Sequence, residues 1–422
     1  MSHQSIQPMQ PLERIPSLDF LRGVAILGIL FVNTESFAYY DPWSSWEFGF
    51  ENQLDHHARF WVYFLTQGKF YSMFTLLFGA GFVIFMERLE KNKTGSKSID
   101  IYARRLLWLF VFGVLHAYFI WDGDVLYHYS ICGLLLIPFR SFKNHNLILV
   151  ILILASFLVI KQCEVTQKRQ MIEKEYLAAV NVSEAYRTEK QSQRINSWVK
   201  RYSKKSPNLS NIENPKPTYI EGLKKSYQHI TVHKGELYYQ SLLFPSLIMM
   251  FVGMLFYRSG IFANYRAWKH YWMISYTVLL FGLTINYLRY YQWTYEDHVA
   301  VTNIWQGLAY TFTKESLGVG YILVLNGIHQ MFFMNSNVGI ISQIGRTAFS
   351  NYILQSIILG LIFYGYGFGM FNFISRFELL VVVVCIWLVQ IVITLRWLRY
   401  RAQGPLEGLW RKLTYNTFTV RK

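Results

Sequence analysis

The sequence predicts an all-α fold, a polytopic transmembrane helical bundle of about ten spans with both termini in the cytoplasm (N-in/C-in). Three observations carry that prediction. Of the 422 residues, 53% are hydrophobic and only 16% charged, a composition more apolar and less charged than that of soluble domains. Apolar runs long enough to cross a bilayer, for which roughly 20 residues suffice, recur along the chain. Lys and Arg are spread unevenly between those runs, in the alternation that the positive-inside rule describes.

In chain order the runs lie at 18–38, 68–87, 105–121, 125–140, 145–160, 239–257, 269–289, 303–325, 347–369 and 377–397. With the amino end inside, the inner segments hold twenty Lys/Arg, among them Arg88, Arg104, Arg105, Arg258 and Arg346. The short outer loops hold three, Arg59, Arg289 and Arg376. The first run is of full length and has no small-residue cleavage site behind it, so it reads as a retained span.

Residues 161–238 fall outside on this topology and carry 15 Lys/Arg and 8 Glu; loops of this length translocate largely regardless of charge. The stretch 172–199 reads as helical and is ended by Pro207, Pro215 and Pro217. The insert reads as a solvated cap, or alternatively as a basic surface for envelope polymers or lipid headgroups. The aromatic segment 39–59 is expected along the outer interface. The chain thus divides into an N-terminal transmembrane half (1–160), an extracytoplasmic basic insert (161–238), a C-terminal transmembrane half (239–400) and a cytoplasmic amphipathic tail (401–422). The net charge of +16 belongs to these loops, so it implies membrane lipids rather than nucleic acid as partner. Cys132, Cys163 and Cys385 show no metal-ligand spacing, and the adjacent His56 and His57 cannot both face one ion from one helix face; no metal site is expected.

Within the apolar runs, polar residues that share a face are candidates for function, because a charge near a span centre costs about 2.5–3.5 kcal/mol on insertion scales. In the first span Asp19, Arg22 and Asn33 lie within about 60° of one another on the helical wheel. They form either an end anchor with interhelical glue or a polar track for substrate. Lys69 either snorkels or pairs with a carboxylate over a central cavity. The third span carries His116 and runs into a tight hairpin with Asp122 and Asp124. An imidazole held by either carboxylate is a candidate general base; capping by the aspartates is the plainer reading. Asp124 and His128, at i and i+4, are also placed to face each other. Thr347, Asn351 and Gln355 form a second stripe, with Arg346 at its cytoplasmic end suited to a phosphate. Leu406, Leu409, Trp410 and Leu413 share one face of a tail helix expected to lie on the inner leaflet.

Asp19-Phe20-Leu21-Arg22-Gly23, Leu76-Leu77-Phe78-Gly79-Ala80-Gly81, Gly113-Val114-Leu115-His116 with Gly123-Asp124, Gly345-Arg346-Thr347-Ala348 and Gly404-Pro405-Leu406-Glu407 occur in an order that resembles the YeiB-like bacterial membrane proteins, a family defined by a domain of unknown function. Gly408, where a bulky aromatic is expected, and the long insert depart from that pattern. The amino-terminal pattern is similar to that of the broader transmembrane acyltransferases. That resemblance implies a multi-pass protein of the cytoplasmic membrane that moves an acyl group from a cytoplasmic acyl-CoA, a co-substrate rather than a bound cofactor, to an extracytoplasmic glycan or lipid acceptor. Many of those enzymes have a histidine where this chain has Asn33. Asparagine is no general base, so the role passes to His116 with Asp122 or Asp124, while Arg22 and Arg346 hold the donor. The competing functions are a transporter or flippase using the same stripes, and a scaffold acting through the insert.

Overall fold

The computed structural model describes residues 15–43, 48–91, 97–202, 218–228, 242–295, 303–332 and 339–415. Among them all regular structure is helical. Five helices, at Pro16–Ala38, Gln53–Lys91 (with a turn inside it), Asn144–Val180, Tyr271–Tyr295 and Glu378–Tyr400, are long and apolar enough to cross a membrane. The chain is a helical membrane protein. Its outward faces fit a hydrocarbon surround: Leu149, Leu152 and Ile153, or Leu388, Val389 and Val392, are exposed in succession.

The bundle is organised around α1 (Pro16–Ala38), started by a proline in its first turn. It packs against α3 (Lys69–Lys91), α12 (Thr313–Phe332), α13 (Ile340–Arg346), α14 (Ala348–Phe363) and α15 (Glu378–Tyr400). The crossing with α13 is a backbone contact. A Cβ on Gly23 would collide with the Ile341 carbonyl, and one on Gly345 with that of Asp19. Small residues allow such approach in membranes, and the result sets Asp19 and Arg22 beside Arg346.

The expected spans correspond to helices with changed boundaries. The fourth, expected over 125–140, is α5 (Leu126–Leu135), stopped by Pro138 in a 3-10 turn; at about 15 Å it reaches only half-way across a bilayer. The eighth is split into α11 (Ile304–Tyr310) and α12. The fifth does not end near 160. α6 runs from Asn144 to Val180 without a break, because the Lys, Glu, Gln and Ala that follow the apolar run are good helix formers. It continues past the apolar run, and α7 (Glu189–Tyr202) folds back on it through the Tyr176–Trp198 stack and the Arg194–Glu175 pair at 3.2 Å. The proline breaks of the insert lie outside the described residues. α8 (Tyr219–Gln228) returns to the end of α4 (Lys97–Phe119), where the Tyr219 hydroxyl donates to the Phe119 carbonyl at 3.0 Å.

The 39–59 segment is partly core. Asn52 and Asp55 form a capping box on α2 (Gln53–Leu65), and Arg59 is fully buried against the Tyr63 and Trp293 rings. Nearby, Arg376 and Glu35 pair at 2.8 Å with almost no exposure. This buried charge cluster escapes a reading in which Arg59 and Arg376 serve as loop markers. His57 bonds the Tyr295 hydroxyl and His56 stacks on Phe50, so the two point apart.

The candidate functional site

A cavity of about 410 Å³ opens where α1, α3, α4, α5, α13, α14 and the tail helix α16 (Pro405–Tyr415) meet. Phe74, Phe78, Phe82, Leu77 and Leu109 form its apolar depth, and Arg22, Arg88, Arg105, Arg346 and Arg411 its polar part. Two carboxylates accompany the five guanidinium groups, and both are engaged. Asp19 pairs with Arg22 at 3.3 Å. Glu407 accepts from the Phe349 and Ser350 amides at 2.8 and 3.1 Å, satisfying first-turn donors of α14 from another helix. The cavity therefore keeps an excess of positive charge.

Arg105 is the least conventional of these cations. Its guanidinium lies over the Trp410 ring at 3.7 Å and 5.1 Å from that of Phe85, and among the described residues it is held by those aromatic faces, leaving its donors for a ligand. Arg346 donates to the Ala402 carbonyl at 2.7 Å. The tail helix is thus a wall of the cavity. Trp410 Nε1 also donates to the Arg105 carbonyl at 2.8 Å. The helix expected on the inner leaflet is docked on α4 and α14, because its indole and carboxylate find fixed backbone partners there. Gly408 would place a Cβ only against the flexible Gln403 side chain.

His116 and Asp124 meet as one of the two sequence alternatives anticipates. Nδ1 lies 2.7 Å from Asp124 Oδ2, and both side chains are at most 1% exposed. Asp124 Oδ1 accepts from the Tyr127 amide at 3.1 Å, so the same carboxylate caps α5 and holds the imidazole. Gly113 allows this: a Cβ there would strike the Tyr127 amide nitrogen. Asp122 stands half-buried at the hairpin tip near Tyr127 and Tyr364. His128 turns to α9 (Phe244–Arg258), its Nε2 2.8 Å from Ser246 Oγ. His116 Nε2 is buried with no hydrogen-bond partner among the described residues. Its ring sits 5.0 Å from that of Tyr352, and Tyr352 lines the cavity. His116 and the cavity are separated by one side chain.

The remaining candidates lie elsewhere. Asn33 is buried on α1, beyond the residues that line the cavity. Asn351 bonds Thr347 and Thr394 at 2.9 and 3.1 Å. Gln355 donates to the Ile26 carbonyl and to Gln390 at 2.9 and 3.1 Å. This stripe faces α15 and α1 as interhelical glue. Lys69 does not snorkel: it is wholly buried, donates to the Tyr63 carbonyl at 2.7 Å and lies 4.2 Å from the centre of the Tyr290 ring.

The comparisons with known proteins cover nearly the whole chain. The chain is 30% identical to the Bacillus subtilis protein YxaH, over 97% of this chain and 96% of that one. The chain belongs to the DUF418 family. The profile described as "Protein of unknown function (DUF418)" matches residues 256–417, which include α13, α14 and the docked tail. The Escherichia coli protein YeiB, 28% identical over 96% of the chain and 97% of its own length, is a further relative. A second profile, the catalytic region of heparan-α-glucosaminide N-acetyltransferase, matches residues 14–194. That stretch of the DUF418 protein contains Arg22, Arg105, His116 and Asp124. Arg88, Arg105, Arg411, Trp410 and Tyr352 are the site residues that sequence reasoning missed. Arg88 and Arg105 are readable as basic span ends and satisfy the topology rule without any site.

Proposed function

We propose that this DUF418 protein is an acyltransferase of the cytoplasmic membrane, with both ends inside, that takes an acyl group from a cytoplasmic phosphate-bearing thioester such as acyl-CoA. The observation that carries this reading is the join between an arginine-rich cavity and a buried, carboxylate-held histidine whose second nitrogen has no hydrogen-bond partner among the described residues. Arg105, Arg22, Arg346 and Arg411 would neutralise the phosphates. Arg105 and His116 are eleven residues apart on α4, about 16 Å, a gap that an extended pantetheine-like arm spans.

Asp124 accepts a hydrogen bond from His116 Nδ1–H, which leaves the Nε2 lone pair as base, an assignment made from the hydrogen bond. Nε2 takes the proton of an acceptor hydroxyl or amine as that atom attacks the thioester carbonyl. The carbon–sulfur bond breaks, and the departing thiolate receives the proton from Nε2–H. The acetyltransferase profile over 14–194 supports the reaction class. The test is transfer or hydrolysis of radiolabelled acyl-CoA by purified protein. Turnover that His116→Ala abolishes is expected. Protein that neither binds nor turns over acyl-CoA, together with an unchanged cellular phenotype of His116→Ala, overturns the reading.

A further inference from the structure

Past His116 along α4, a second, open recess of about 380 Å³ is bounded by Phe119, Ile120, Tyr219, Ile357, Leu361 and Tyr366. We infer that this groove holds the hydrocarbon chain of a membrane lipid whose polar end is the acyl acceptor. The inference rests on the acyl-transfer reading and supplies the chemical class of its second substrate.

Placement is the first argument. α14 lends Tyr352 to the arginine cavity and, from another of its faces, Ile357 and Leu361 to the groove, about 7.5 and 13.5 Å further along its axis. α4 lends Arg105 to the cavity and Phe119 to the groove, with His116 one turn before Phe119. Along α4 His116 therefore lies between Arg105 of the cavity and Phe119 of the groove, and on the N-in topology the groove lies in the outer half of the membrane.

Surface chemistry is the second. Phe119, Ile357 and Leu361 are 54%, 44% and 45% exposed and continuous with helix faces that meet hydrocarbon, so a chain enters sideways without crossing water. Among the described residues that bound it, no side chain offers a free glycan a carboxylate or an amide for its hydroxyls. What polar groups it has are rim hydroxyls, and that of Tyr219 is already committed to the Phe119 carbonyl. Through this bond α8 roofs the groove, and Tyr227 on the same helix lies against Tyr118, ring centres 6.3 Å apart. The insert that departs from the family pattern thereby becomes the acceptor-side wall.

The experiment uses the full chain in nanodiscs of phosphatidylethanolamine and phosphatidylglycerol with a phosphatidylethanolamine bearing a mid-chain diazirine. Photolabelling mapped by mass spectrometry is expected to concentrate on 119–120 and 357–366. Ile357→Trp and Leu361→Trp are expected to reduce that labelling about tenfold, since each excluded methylene weakens chain binding steeply. Competition by unlabelled lipid in the wild type gives the same readout without a variant. Labelling spread evenly over the lipid-facing helices overturns the inference, whether or not acyl-CoA binds. A labelled groove in protein that fails to bind acyl-CoA supports the lipid site and overturns the transfer reading alone.

Discussion

His116 illustrates how one carboxylate sets the chemistry of a neighbour. Because Asp124 caps α5 through one oxygen and holds Nδ1 through the other, Asp124→Asn keeps the cap and permits the wrong tautomer. We expect that variant to lose about 10²- to 10⁴-fold in acyl-transfer rate, the range of general-base catalysis, with little change in melting temperature. Arg105→Leu should preserve the rate at saturating donor while raising the donor KM about tenfold. The wild-type KM should rise with salt and the variant's less so, since a screened charge contact has been removed. Residues of this kind differ in how visible they are in the sequence. Asp19, Arg22 and Arg346 stand out as charges at the edges of apolar runs. The value of Arg105 depends on Trp410, 305 positions away, a pairing that no local pattern contains.

At the scale of elements, the tail is both wall and cap. Burial, the dominant influence, raises the Glu407 carboxyl above its ordinary range against the pull of its Ser350 and Phe349 hydrogen bonds. A folded-state value above the unfolded one means the stabilising contribution is complete below the ordinary glutamate value of about 4.3 and is lost as pH rises through the raised one. Proteolysis within α16 should accordingly accelerate with pH over that interval. Glu407→Gln should flatten this dependence, and Glu407→Ala should cost about 1–2 kcal/mol as a lost cap, read as a lower thermal midpoint. Helix existence was legible from run length and composition, since a membrane permits little else. Helix ends were less so. Pro138 halves α5, whereas the charged stretch after 160 keeps α6 going, because helix propensity does not distinguish lipid from water where the residues are Lys, Glu and Ala.

For the whole molecule, the legible part was the all-α membrane class and the Asp19–Arg22–Arg346 grouping. The illegible part was set by contacts distant in sequence: the docking of α16, the turn of the Asn351–Gln355 stripe toward α15, and the burial of Glu35 with Arg376. That buried pair yields a prediction about folding rather than catalysis. Glu35→Ala leaves Arg376 without its carboxylate partner and should destabilise by about 3–5 kcal/mol, whereas Glu35→Leu with Arg376→Met should cost much less. Detergent-solubilised thermal unfolding of the three proteins checks the contrast.

Arg105 and His116 belong to one uninterrupted helix, and eleven steps of 100° return to nearly the same face. No rearrangement of the bundle alters the span between them, so α4 is a ruler. On the acyl-transfer proposal it would measure the donor from its anion to its reactive carbon, and an acyl phosphate, in which those two points are neighbours, would be too short to be read.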